Sequence, residues 1–87
     1  MTLQFPNVSR SFDATRDCVR FSGYDHTREV AFFIAGDAIR GVDGGKLLNE
    51  ELLLSAFDRN RDRICQAAVK AYGRRDQVAY TLTASDF

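Results

Sequence analysis

Residues 49–72, NEELLLSAFDRNRDRICQAAVKAY, carry apolar side chains at helical spacing along most of their length, and a stripe that long must be covered by the rest of the chain. At 100° per residue, Leu53, Leu54, Phe57, Ile64, Ala68, Ala71 and Tyr72 share one face, which is the repeat of a helix buried on one side. The ends are marked as well. Asn49 can cap free amides, Glu50 and Glu51 put negative charge in the first turn, Lys70 puts positive charge near the last, and Gly73 suits the left-handed residue that ends a helix. The expectation is therefore one long amphipathic helix of roughly 36 Å. Its middle is unusual, because Asn60 and Arg61 occupy the inward turn between Phe57 and Ile64.

Upstream of this helix the period changes to two. Residues 11–13 read as a short strand and 14–17 as a turn, while 18–24 and 27–35 read as the arms of a β-hairpin with Asp25-His26 at its tip. Pairing Tyr24 with Thr27, Phe21 with Val30 and Val19 with Phe32 puts Val19, Phe21, Val30, Phe32 and Ile34 on one face, a floor for the helix. Before the hairpin, residues 1–9 hold the single proline, Pro6, and form an extended lead-in that Phe5 and Val8 can anchor.

The other face of the hairpin is less ordinary. Ala31, Phe33 and Ala35 are apolar there too, where a wet face calls for polar residues. The short helix or the lead-in segment is the favoured cover, and a homodimer interface on Phe33, Ala31 and Ala35 is the alternative.

Asp37 to Arg40 offers a capping residue and one turn of helix ending near Gly41, and VDGGK, 42–46, is a flexible connection. After the long helix, 74–76 form a charged turn and QVAYTLT, 77–83, alternates as a last strand with Val78, Tyr80 and Leu82 on one side. The expected fold is a single α+β domain over residues 1–87, in the order β-β-β-α-α-β. A small antiparallel sheet, made of a three-stranded meander and a C-terminal strand at a free edge, packs against the long helix.

Composition narrows the function classes. Twelve Lys and Arg balance twelve Asp and Glu, so no net field draws the chain to nucleic acid or an anionic membrane. No signal-peptide pattern opens the sequence and no apolar run is long enough to span a membrane, which places the chain in the cytoplasm. The two cysteines, Cys18 and Cys65, read as reduced thiols packed like small hydrophobes, and the single histidine leaves no metal-ligand cluster; no cofactor is expected.

The phrases FDATRDCVRFSGYD, AFDRNRDRICQAAVKAYGR and YTLTASDF resemble the small bacterial proteins grouped as domain of unknown function 1488. The resemblance covers nearly the whole chain and implies a compact α+β domain and a bacterial source. It brings no activity, cofactor or catalytic residue.

Three surfaces carry what chemistry the residues offer. Arg61 faces the core and needs a partner or a water path, since a buried unpaired guanidinium costs several kcal/mol. The favoured reading is an ion pair with Asp13, Glu29 or Asp86; the functional one is an anion site formed by Arg61 with Asn60. On the opposite face Arg59, Arg63, Gln66, Lys70 and Arg74, with Arg75 beyond, make a ridge that could follow phosphates, although Asp58, Asp62 and Asp76 give it the mixed charge of a solvated helix face. An enzyme is a third class. GVDGGK lacks the spacing of a phosphate loop, and Asp25-His26 reads as a solvated turn rather than a dyad. The expectation is a non-enzymatic binding or protein-interaction module, with a homodimer or an unknown protein as partner. A nucleic-acid-associated protein using Arg59, Arg63, Lys70 and Arg74 is the first alternative, and an enzyme for a small anion near Arg61 the second.

Overall fold

The structure is a computed structural model that describes residues 3–6, 9–44, 49–74 and 79–87. Val8, Lys46 and residues 75–78, among them Arg75, Asp76 and Val78, lie outside the described residues. The described elements run β1 (Leu3–Gln4), β2 (Arg10–Asp13), β3 (Cys18–Asp25), β4 (Arg28–Ala35), α1 (Gly36–Asp43), α2 (Glu50–Arg59), α3 (Arg61–Arg74) and β5 (Ala79–Leu82), with a final 3-10 turn, Ala84–Asp86.

The hairpin β3–β4 organises the sheet. Its rungs include Asp25↔Arg28, Gly23↔Val30, Phe21↔Phe32 and Val19↔Ile34, so the turn is His26-Thr27 and the expected register is displaced by two. A displacement by an even number keeps every side chain on its face. Val19, Phe21, Val30, Phe32 and Ile34 are accordingly all buried together, as the alternation requires. The left-handed position falls on His26, φ 59°, a residue type that tolerates that region better than most. One edge of β3 is shared by β2, along Cys18 to Phe21, and by β1, at Tyr24 and Asp25. Pro6, which has no amide to donate, lies in the gap between them.

The last strand takes a free edge as expected, and its direction, which the sequence leaves open, is parallel. β5 pairs with β4 in parallel, Ala31↔Ala79 to Ile34↔Leu82, making the sheet mixed rather than antiparallel. The cause is the route: the chain leaves the end of β4, crosses through three helices and comes back to where β4 began, and a helical crossover of that kind delivers a parallel strand.

The helical layer fills one face only. Ile39 of α1, Leu53 and Phe57 of α2, and Ile64 and Ala68 of α3 are fully buried against the sheet. Phe57 tilts on Phe21 at 5.2 Å between ring centroids, and Tyr80 stacks on Phe32 at 5.4 Å. α1 is longer than the single turn expected. It passes Gly41 and stops at Gly44, whose left-handed φ of 76° lets its N–H donate to the Arg40 carbonyl.

The long helix is broken in two at Asn60. Its side-chain amide donates to the Ala56 carbonyl at 2.8 Å and to the Asp43 carboxylate at 3.0 Å. A side chain that bonds the backbone one turn earlier competes with the helix ladder, and the dihedrals of Asn60, φ −109° and ψ 17°, leave the helical basin. The Asn60 carbonyl then accepts from the Ile64 N–H, restarting the ladder as α3.

Candidate functional site

Arg61, which the sequence places near the centre of the apolar stripe, sits at its margin. Its guanidinium lies 4.8 Å from the centroid of the Phe57 ring and donates to Asp58 at 2.9 Å. None of the three acids expected, Asp13, Glu29 or Asp86, is its ion-pair partner; the carboxylate comes from the turn before it on the same helical path. Asp58 also receives Arg10 of β2 through Nε at 3.0 Å and Nη2 at 2.8 Å. Hydrogen bonding from Arg10, more than that from Arg61, holds the Asp58 carboxyl below the usual range. The cluster therefore ties the helical layer to the edge strand, and Arg61 has its charge engaged.

Asn60 and Arg59 turn the other way, toward the end of α1. Arg59 holds both oxygens of Asp43 at 3.1 to 3.3 Å, beside the bond from Asn60. The expected pairing of Arg61 with Asn60 as one anion site is thus divided between two carboxylates on opposite sides of the break. Nothing in the sequence singled out Asp43, which read as part of a turn.

The cationic ridge is divided as well. Arg59 is drawn to Asp43, and Arg74 faces Asp86 at 3.9 Å. Arg63 and Lys70 remain exposed and form no ion pair with any described residue. Between them and the C-terminal turn lie two adjoining hollows that share Arg63 and Phe87, of about 180 Å³ and about 280 Å³.

No described element is layered over the outer face of the sheet. Ala31, Phe33 and Ala35 are half-buried there, Ala35 also touching the core cluster at the start of α1, and α1 and Phe5 both pack on the opposite, core side. Neither α1 nor the described part of the lead-in covers Phe33. Instead the Arg16 guanidinium, from the β2–β3 turn, lies 4.2 Å from the centroid of its ring. Arg20 and Thr81 flank Phe33 in register on either side.

At the far end of the hairpin the Tyr72 hydroxyl donates to Asp25 at 2.5 Å, and that bond raises the phenol above its ordinary value. His26 stands 3.8 Å from the other Asp25 oxygen with its side chain 78% exposed, so the tip is a solvated turn braced by α3. Burial pushes both thiols, Cys18 and Cys65, up from their ordinary values, which leaves them protonated and poorly nucleophilic. Among the described residues, no three side chains gather as metal ligands and no helix is long and apolar enough to cross a membrane.

The architecture is that of a small α+β domain in which the described helices form one layer on one face of the sheet. A family model described as a protein of unknown function, DUF1488, matches residues 3–83, and the chain belongs to that family. A crystal structure of a DUF1488-family protein of unknown function from Shewanella loihica PV-4 superposes with a TM-score of 0.82 over 93% of this chain and 91% of that one, at 18% identity. That likeness establishes the fold. No curated protein matches the chain.

Proposed function

We propose that the chain is a small non-enzymatic protein-interaction module that associates with a second copy of itself through the open face of the sheet. The observation that carries this reading is the half-apolar centre of that face, half-buried Phe33 and Ala31 with the neighbouring Ala79, over which the described residues lay only the Arg16 guanidinium and no second layer. Small residues around one aromatic let two sheets approach to about 10 Å. Arg16 and Arg20 share the face with Asp13 and Glu29, so a two-fold copy can set each sign against the other. Four strand positions at about 4.8 Å and a length of about 26 Å give roughly 500 Å² per copy. A total of about 1,000 Å² is the lower bound for a specific interface, so the dimer is weak and concentration-dependent.

The free thiols Cys18 and Cys65 support a reducing compartment, the cytoplasm. The nucleic-acid reading loses support because two of its four ridge cations, Arg59 and Arg74, face carboxylates. The enzyme reading loses it because Arg61 is engaged by Asp58.

Sedimentation equilibrium from about 10 μM to about 1 mM is the test, read on the intact chain and on Phe33→Glu. The intact chain dimerises with rising concentration and Phe33→Glu stays monomeric. A strict monomer over the whole range, or dimerisation indifferent to Phe33→Glu, overturns the proposal.

A further inference from the structure

We infer that the trough between α1, α3 and the C-terminal 3-10 turn docks an acidic peptide segment bearing one bulky apolar side chain. This surface lies on the helical layer and is independent of the sheet face. The larger hollow, about 280 Å³, is lined by Ala38, Gly41, Val42 and Ala84 together with Arg63 and Phe87. The smaller, about 180 Å³, continues past Arg63 to Gln66, Lys70 and Asp86. One end is thus apolar and the other charged.

Charge complementarity chooses the occupant. Arg10, Arg40, Arg59, Arg61 and Arg74 each face a carboxylate, whereas Arg63 and Lys70 form no ion pair among the described residues. Asp86, the single acidic side chain among the residues lining the trough, accepts the Thr83 N–H at 2.8 Å and lies 3.9 Å from Arg74, which offsets part of its charge, so the two cations Arg63 and Lys70 outnumber it. Phe87, 39% exposed, is one of two large apolar side chains left in solvent among the described residues, and it divides the two hollows. An apolar side chain set in the larger hollow covers it.

The spacing is specific. Lys70 follows Arg63 by two helical turns, about 10 Å along the axis. On a peptide in the polyproline II conformation, carboxylates three residues apart share one face about 9 Å apart. Gln66 lies between the two cations and can bond the peptide backbone there. Both hollows open to solvent on one side, so a small free carboxylate would be left largely uncovered, while a chain lying along the trough is not. The predicted segment reads apolar, acidic, two spacers, acidic.

The experiment titrates the full chain with the synthetic peptide GGLEGGEGG, followed by amide chemical shifts and by fluorescence of a labelled copy. Binding shifts the amides of Val42, Arg63, Lys70 and Phe87, with a Kd on the order of 100 μM. Arg63→Glu and Lys70→Glu each weaken it at least tenfold, and the peptide GGLKGGKGG binds the doubly reversed chain instead. Both positions are exposed, so the variants fold, and unchanged spectra of the free variants check this. Four results would each overturn the inference: shifts elsewhere or none, equal binding of GGLQGGQGG, equal binding of GGAEGGEGG, or tighter binding of a deoxythymidine oligonucleotide at the same residues.

Discussion

Two carboxylates flank the break between α2 and α3, and their surroundings predict unequal costs for losing them. By bond length Asp58 is the better acceptor, taking Arg10 at 2.8 Å and Arg61 at 2.9 Å. Its side chain is 43% exposed, however, whereas that of Asp43 is 12% exposed. An exposed ion pair contributes about 0 to 1 kcal/mol, because water replaces it and the long side chains lose freedom in making it. A shielded acceptor with charged donors is worth about 1.5 to 3 kcal/mol per bond. Arg59, with its side chain 58% exposed, recovers most of its hydration when released, so its share is discounted. Asp43 is also the last residue of α1, where the helix dipole disfavours an anion by about 0.5 kcal/mol. What remains is chiefly the bond from half-buried Asn60 and part of the Arg59 fork, about 2 kcal/mol in all. Asp43→Ala therefore lowers the melting temperature by roughly 10 °C, and Asp58→Ala lowers it by less than about 5 °C. Urea unfolding followed by circular dichroism gives both free energies if the slope is unchanged. A double-mutant cycle of Asp43→Ala with Asn60→Ala isolates a coupling of about 1 kcal/mol. If Asp58→Ala proves as costly as Asp43→Ala, or the coupling is below about 0.3 kcal/mol, burial is not what ranks these sites.

The core face gives a second expectation: a Cβ built on Gly23 would lie 2.8 Å from Phe5 Cε1 and 3.1 Å from Leu3 Cδ1, so Gly23→Ala destabilises by about 1 to 2 kcal/mol through crowding. A gain, as expected of alanine for glycine in an uncrowded strand, would show that the β1 segment yields freely. At alkaline pH the Tyr72 phenol supplies the third. Its folded pKa is raised by the bond to Asp25, so its contribution is complete below the unfolded value of about 10 and is lost as pH rises through the folded one. Tyr72→Phe removes that part of the decline, and equal slopes of stability against pH for the two chains above pH 10 would refute the assignment.

Much of the fold was legible because it rests on periodicity. The alternation from Val19 to Phe21 and from Val30 to Ile34 assigns faces, and an error of two in register leaves them intact. The cap at Asn49 follows from local backbone chemistry, and Asn49 does accept the Leu52 N–H at 2.9 Å. By contrast, α1 runs past Gly41 and α3 runs through Gly73 to Arg74, so neither glycine that the sequence marks as a helix end is one. The helix break was not legible as such. A wheel records that Asn60 and Arg61 interrupt the stripe but not that an aspartate seventeen residues earlier draws the Asn60 amide away. The ion-pair partners escaped for the same reason. Arg10 meets Asp58 across forty-eight positions, and only the packing of β2 on α2 brings them together. Phe33 was legible as an apolar residue on the wrong face, whereas its Arg16 cover depends on how the β2–β3 turn folds back.

The parallel pairing of β5 sets an order in time. The β3–β4 hairpin closes through a two-residue turn, but each rung of β4 with β5 must wait for the helices between them, as Ala31 waits for Ala79. Contacts that distant are made late, since the entropy of closing the loop is lost before the pairing stabilises anything. Until then β4, with Phe32 and Ile34 in its centre, presents an unpaired edge to the ribosome exit and to other nascent chains. The strand that arrives last is the one that shields the most adhesive edge. Synthesis that pauses in the helical stretch therefore prolongs the interval in which this chain can pair with the wrong neighbour.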